Sequence, residues 1–486
     1  MSKHLSKSKY IAGLTCPRKL WLQLWRSELQ AEPGGMTALI MEQGTLFGEL
    51  AHQLYADAIL IDIDIRNLAR AEADTLAAIG SGAQTILEAT FRTGQYRVLS
   101  DVVQRLADGS WHLIEVKSST KVKPEHIPDL AFQRYVMEQG GYRVSRCSVL
   151  HANTAGHSPD LANLFSEVDV TEQVAAYLPS VASDLAQFAP LLVKDAAIPG
   201  MQFKKACVGC DFQAHCWAEI SAPTIYESID NRKIPAMEAQ GIFYIDDIQD
   251  DFDLPAAVRT MVERMQQRRI DINLEPIRKM LDELQYPLYF LDFETVATAM
   301  PLFEGSSPWQ RYAFQYSLHV QGDDGELRHV EFLHDQRTDP GKAIARSLIE
   351  HIGETGSVIV YSKTMEKGVL NDLAGQFPDW ARGLRNIASR IWDLEVVFKK
   401  HYRHWQWGTK SSIKNVLPTL VPELSYKDLD VQEGGTASLE WLRMTETDDV
   451  REKAIKAEAL RRYCELDTLA MVRLLAVVER ELDSGC

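Results

Sequence analysis

The chain has 486 residues, of which 45% are hydrophobic and 25% charged, with a formal net charge of −16. Its length exceeds what one hydrophobic core normally holds, so two or three domains are expected, in a composition ordinary for a globular protein. The acidic balance excludes a generic basic nucleic-acid binder but leaves room for a local basic groove around an acidic, metal-filled centre. No apolar run reaches the length that spans a bilayer.

The start, "MSKHLSKSKY", is basic and lacks the apolar stretch of a secretory leader, so a cytoplasmic location is expected. "KYIAGLTCPRKLWLQLW" (9–25) predicts a short helix with Cys16 near its beginning, followed by a Pro/Gly loop at Glu32–Gly35. "MEQGTLFGELAHQLYADA" predicts a second helix. Three strand-like runs follow, "TILEATF", "QYRVLSDVVQRL" and "WHLIEVKSS", the last two joined by the turn signal Asp108-Gly109. "HIPDLAFQRYVMEQGGY" then predicts a helix and "RVSRCSVLHAN" a strand. Strands flanked by helices imply an α/β core.

Beyond Cys216 the composition becomes more charged, and 222–282 is expected to be a helical connector with an amphipathic helix over "AAVRTMVERMQQRR". A second α/β pattern begins at Tyr286. It comprises "YPLYFLDFETV", "YAFQYSLHVQ", a helix after Pro340, the strand "SVIVYSK" and a final helix carrying "LRRYCELDTLAMVRLLAVVERELD". The expected division is 1–221, 222–282 and 283–486.

Trp111, Leu113, Glu115 and Lys117 share one parity, so on a strand the carboxylate and the ammonium leave from the same face. A surface salt bridge would account for that pair alone. With Asp101 on the preceding strand, however, the set is what a divalent-metal site requires. Carboxylates supply hard oxygen ligands for Mg²⁺ or Mn²⁺, and the lysine orients or deprotonates an attacking water. Glu88 and His52 could add ligands or support, although a histidine on an apolar helix face is as readily a hydrogen-bonded core residue.

Seven cysteines include three in "CVGCDFQAHC", namely Cys207, Cys210 and Cys216, a spacing unlike a disulfide framework. Taken with Cys16, "VLSDVV…IEVKSS" and the preceding helical histidine, this pattern resembles the iron–sulfur branch of the RecB-like PD-(D/E)XK nucleases, the CRISPR-adaptation and AddB type. The resemblance implies a restriction-endonuclease-type core, with a 4Fe–4S cluster on Cys16, Cys207, Cys210 and Cys216 clasping the domain. Four thiolates also suit Zn²⁺, so that alternative stays open. Cys147, Cys464 and Cys486 are assigned no metal. The family usually carries Gln-x3-Tyr on the following helix. Here the best placement is Asp129-x3-Gln133, in supporting roles.

The second pattern places Asp292 and Glu294 two apart in "YFLDFETV", and Tyr463 and Asp467 four apart on the last helix. This resembles the tyrosine subtype of the DEDD 3′–5′ exonucleases, which have an RNase H-like fold. The resemblance implies two metal ions held by four acids, with the tyrosine positioning water. The middle acid departs from the family: Glu366 is the first choice and Asp372 a weaker one, with Asp393 assisting. Lys410, Ser411, Ser412 and Lys414 form either a phosphate-backbone contact or a solvated loop. Together these readings imply a metal-dependent DNA nuclease with two phosphodiesterase sites, acting on single-stranded or duplex ends. The alternatives are a decayed nucleic-acid-binding scaffold and an RNA exonuclease.

Overall fold

The computed structural model describes residues 3–201, 203–220, 223–229 and 232–484. Cys486 and the expected boundary at 221/222 lie outside them. The architecture is mixed α/β and divides into two compact units. The first comprises Met1–Pro33, Ile40–Ala218 and Thr298–Gln310; the second comprises Gly34–Leu39, Glu219–Ala297 and Arg311–Cys486. No helix among the described residues is long and apolar enough to cross a membrane.

The first unit is built on a six-stranded sheet in the order β1-β2-β3-β4-β5-β6. Its strands are β1 (Ile59–Leu60), β2 (Thr85–Thr93), β3 (Tyr96–Arg105), β4 (Trp111–Lys117), β5 (Val144–Ala152) and β6 (Phe165–Asp169). Period-two alternation divides its side chains between two cores. Ile86, Val103, Leu113 and Val149 face one, where Leu130, Phe132 and Val136 also sit. Their neighbours Leu87, Val102, Ile114 and Leu150 face the other, with Phe47 and Ala51. Glu115 and Lys117 share the parity of Leu113 and therefore look toward the helix His126–Gln139. β4 and β5 run parallel, so the chain between them must cross over, and it does so through that helix.

The helices of this unit are α1 (Lys7–Thr15), α2 (Pro17–Trp25), α3 (Gly35–His52, whose first residues count with the second unit), α4 (Leu68–Gly80), α5 (His126–Gln139) and α6 (Thr171–Phe188). The stretch expected as one helix over 9–25 is thus two. Cys16 between them is extended, with φ −160° and ψ 118°, because the ring of Pro17 disfavours helical backbone at the residue before it. α3 also begins earlier than the sequence pattern suggested, at Gly35. Tyr10 stacks on Phe132 at 4.5 Å and donates its hydroxyl to Asp184 at 2.6 Å, fastening α1 to α5 and α6.

The second unit carries a five-stranded sheet ordered β10-β9-β8-β11-β12. β8 (Leu288–Val296), β9 (Tyr312–Gln321) and β10 (Leu327–Leu333) are antiparallel, whereas β11 (Val358–Val360) and β12 (Ile391–Asp393) run parallel to β8. The 222–282 stretch is not purely helical. It adds β7 (Ile270–Ile272), which pairs with β13 (Tyr402–His404), and it counts with the second unit. The C-terminal helix Val450–Ser484 buries Leu460, Tyr463, Cys464, Asp467, Met471, Leu474 and Val478. Their three- and four-residue spacing is the core-facing stripe of an amphipathic helix.

Candidate active sites

In the first unit the predicted residues converge. Asp101 Oδ2 accepts the backbone N–H of Val116 at 2.7 Å, which fixes the carboxylate against β4. Lys117 Nζ lies 2.6 Å from Glu115 Oε1 and 2.9 Å from Asp129 Oδ2. Gln133 donates to Glu115 Oε2 at 2.7 Å and to Asp129 Oδ1 at 3.1 Å, and Ser100 donates to Gln133 Oε1 at 2.9 Å. The Asp129-x3-Gln133 pair therefore reaches both Glu115 and Lys117 from one turn of α5. His52 pairs with Glu88 at 3.2 Å. Glu88 has φ 56°, a left-handed conformation inside a strand, between Leu87 and Ala89, whose ladder partners Val102 and Ser100 flank Asp101. Such strain in a non-glycine residue persists only where its surroundings enforce it.

Lys7 was not expected. Its ammonium lies 2.7 Å from Glu115 Oε1 and 3.4 Å from Asp101 Oδ1. Delivery is local: Leu5 exchanges backbone hydrogen bonds with Gln95 and Arg97, which pins the chain beside β3 one residue before Ser6 caps α1. The basic start of the sequence was the available signal.

These charges split the two carboxylates. Burial opposes the ionised form of Glu115, but the Lys117 and Lys7 ammoniums outweigh it and hold Glu115 below the usual range. For Asp101, burial and repulsion from Glu115 outweigh Lys7 and Lys117, and its value rises to about 7. Burial likewise opposes the charge on Lys117, yet Glu115 and Asp129 keep it above the ordinary lysine value. Lys117 is therefore cationic at neutral pH, which favours orienting a water over deprotonating it. His52 is raised, chiefly by its hydrogen bond to Glu88.

In the second unit, Asp292 and Glu294 project from β8 toward the C-terminal helix. One ligand atom each of Asp292, Glu294 and Cys464 lies within 4.8 Å of the others. Asp292 and Asp467 line a cavity of about 260 Å³ together with Tyr361, Glu395 and Ser412. Asp467 Oδ1 accepts from the Tyr426 hydroxyl at 2.6 Å. Lys414 Nζ lies 3.2 Å from the Tyr463 hydroxyl and over the rings of both Tyr426 and Tyr463. Glu366 is buried, with Oε2 lacking a hydrogen-bond partner.

Asp372 turns away to an ion pair with Arg311 at 2.5 Å. Asp393 accepts from the backbone N–H groups of Ser362, Lys363 and Glu395, so it organises the start of the helix Lys363–Gln376. Of the 410–414 loop, Ser411 donates to Glu395 at 2.8 Å, Ser412 faces the cavity and Lys414 reaches the acids' neighbours. Tyr426, Glu395 and the neighbourhood of Cys464 were missed. Cys464 alone carried a signal, its place one residue after Tyr463.

Here the carboxylates repel. Asp292 is raised well above its usual value by burial, then by Asp467, Glu294 and Glu366, against Lys414. Glu294 rises to about 8 through burial and Asp467, and Glu366 to about 8 through burial and then Asp393. Burial lifts Asp467 to about 6, with Tyr426 and Lys414 holding it lower. The Cys464 thiol is pushed up by burial and then by the acids. Folded values above unfolded ones favour the folded state most below the ordinary carboxyl range, and that stability is lost as pH rises through them. In chelator, calorimetry is expected to find a higher melting temperature at about pH 5 than at about pH 8.5. The opposite order would mean that the acids are not mutually buried.

The four cysteines line one pocket with Arg18 and Lys19. Cys16 sits at the α1–α2 break. Cys210 donates its backbone N–H to Cys207 O at 3.1 Å across Gly209, whose φ of 77° suits glycine. Cys216 ends the short helix Gln213–Cys216. Burial is the main cause of the raised Cys207 and Cys216 thiols.

Residues 289–412 match the model of a domain of unknown function, DUF2779. That stretch holds Asp292, Glu294, Glu366 and Asp393 but ends before Tyr463 and Asp467. "Uncharacterized protein MG366 homolog" of Mycoplasma pneumoniae is 26% identical over 217 residues, 40% of this chain and 33% of its own length. "Uncharacterized protein MG366" of Mycoplasma genitalium is 24% identical over 225 residues, 41% of this chain and 33% of its own. The matched stretch thus spans about a third of either relative. A solved chain described as "Crystal structure of SSO0001" is 15% identical, covering 46% of this chain and 89% of its own, with a TM-score of 0.21. At that score the likeness carries no argument about the fold.

Proposed function

We propose that the protein is a metal-dependent nuclease of the cytoplasm that hydrolyses DNA at two phosphodiesterase sites, the first RecB-like and the second a DEDD-type 3′–5′ exonuclease. The carrying observation is the cavity in the second unit, where Asp292 from β8 meets Asp467 from the C-terminal helix, with Glu294 and Glu366 close enough to raise the Asp292 carboxyl. An all-oxygen donor set, mutual repulsion and an unpaired Glu366 oxygen fit divalent cations such as Mg²⁺ or Mn²⁺. When bound, such ions supply Lewis-acid stabilisation of the scissile phosphate. Three antiparallel strands followed by two parallel ones support the RNase H-like reading of this unit.

The residues around the acids have distinct tasks. Tyr463, held by Lys414, orients a water by its hydroxyl, and burial keeps that hydroxyl protonated. Lys414 supplies positive charge for a phosphate. In the first site Asp101 and Glu115 would hold the ion, Lys117 would orient the nucleophile, and Asp129 and Gln133 fix Lys117 and Glu115 in place.

Purified protein incubated with 5′- and 3′-labelled single- and double-stranded DNA and RNA, with Mg²⁺ or Mn²⁺, tests the reading. Metal-dependent shortening from 3′ ends, abolished in Asp292→Ala, is the expected result. Retained binding without cleavage of any substrate would sink it. Lys7 favours a second reading for the first unit alone. Its ammonium already bridges Asp101 and Glu115, as in a site that binds nucleic acid without cutting. In that case Lys117→Ala would alter no product.

We assign the cysteine pocket a 4Fe–4S cluster that ties the start of the chain to the end of its first unit, with Zn²⁺ as the rival. Cys207→Ser is expected to lower iron and sulfide content and the melting temperature together. Bound zinc in place of iron would decide for the rival, and unchanged stability and metal content would end the clasp.

A further inference from the structure

Outside both acid clusters, His319 and His329 stand directly opposite each other on β9 and β10, with ring centroids 4.6 Å apart. Glu465 approaches them from the C-terminal helix. One ring nitrogen of each histidine and one Glu465 oxygen lie within 4.8 Å of one another. His329 Nδ1 is 3.8 Å from Glu465 Oε1.

The second nitrogen of each ring is already engaged. His319 Nδ1 meets Thr468 Oγ1 at 2.8 Å, and His329 Nε2 meets Ser317 Oγ at 2.9 Å. The two hydroxyls are 2.6 Å apart, and Thr468 Oγ1 donates to the Glu465 carbonyl at 3.1 Å. With that proton committed, Thr468 accepts from Ser317 and from His319 Nδ1–H, and Ser317 in turn accepts from His329 Nε2–H. In this chain of donors the lone pairs are left on His319 Nε2 and His329 Nδ1. The His329 Nδ1 lone pair facing Glu465 Oε1 is repulsive until a proton on the ring or a cation between the two relieves it. Outer hydrogen bonds that lock the tautomer and ring direction are also the usual support of metal-bound histidine.

We propose that His319, His329 and Glu465 form a binding site for a divalent transition ion, Zn²⁺ as the best fit to two imidazoles and one carboxylate, with a position left for water. The ion ties the β9–β10 hairpin to the C-terminal helix. The site is independent of the nuclease reading, and its test does not use cleavage.

Full-length protein stripped of metal is titrated with Zn²⁺ by calorimetry, and bound zinc is counted after desalting. His329→Ala is expected to bind one zinc fewer than wild type. Thr468→Val, which keeps all three ligands, is expected to weaken that one site by about 10–100-fold. With Co²⁺ as the probe, the thiolate absorption of the cysteine pocket is expected to be unchanged in both variants. Glu465→Gln guards against misfolding of the histidine variant, because its side chain is 46% exposed; it is expected to lose the same equivalent. Equal zinc counts in wild type, His329→Ala and Glu465→Gln would overturn the site.

Discussion

Asp292→Asn is expected to slow trimming of labelled 3′ ends by on the order of 10²–10³-fold and, in chelator near pH 8, to raise the melting temperature. The first effect follows from losing an anionic oxygen from the proposed metal-binding set. The second follows from electrostatics: Asp292 is half-buried beside Asp467, Glu294 and Glu366, and only Lys414 opposes them among the groups that govern its charge. A neutral amide of the same shape relieves that repulsion. Adding Mn²⁺ should remove or reverse the variant's advantage, since an ion that binds the folded wild type stabilises it by mass action. Lower stability in chelator together with unchanged trimming would contradict both halves of the argument.

Glu115→Gln is expected to act with the opposite sign, costing about 3–5 kcal/mol of stability in chelator at neutral pH. Glu115 is 1% exposed and receives Lys7, Lys117 and Gln133 together. Neutralising it removes the counter-ion that the two ammoniums share, leaving Asp129 to Lys117 and the more distant Asp101 to Lys7, and the incoming amide competes with Gln133 for the donor role. Urea denaturation measures the loss through the midpoint at constant slope. A smaller destabilisation in a Lys7→Met, Glu115→Gln double variant than in the single one would locate the penalty in the Lys7 ammonium. No loss in the single variant would mean that the network is solvated rather than buried. The same exchange of charge for amide thus separates a compensated carboxylate from an uncompensated one.

What could be read along the chain was local. Parity in "WHLIEVK" put Glu115 and Lys117 on one face, and four-residue spacing put Tyr463 and Asp467 on one helix stripe, because both periods are properties of backbone geometry. Pro17 is equally legible, yet the apolar pattern runs on through Cys16, where the proline ring breaks the helix. The 222–282 stretch was read as helix because β7 is three residues long, too short for alternation to register, and it pairs with β13 some 130 residues later.

By itself, then, the sequence determined the α/β class, the acids, the cysteine pattern and which neighbours share a face. Only the tertiary structure decided that Lys7 meets Glu115 across 108 positions, that Tyr426 holds Asp467, and that His319 and His329 confront Glu465. The reason is physical: periodicity constrains a side chain's direction along its own element. Which distant group lies opposite, and hence whether a buried charge is matched or repelled, depends on how sheets and helices pack.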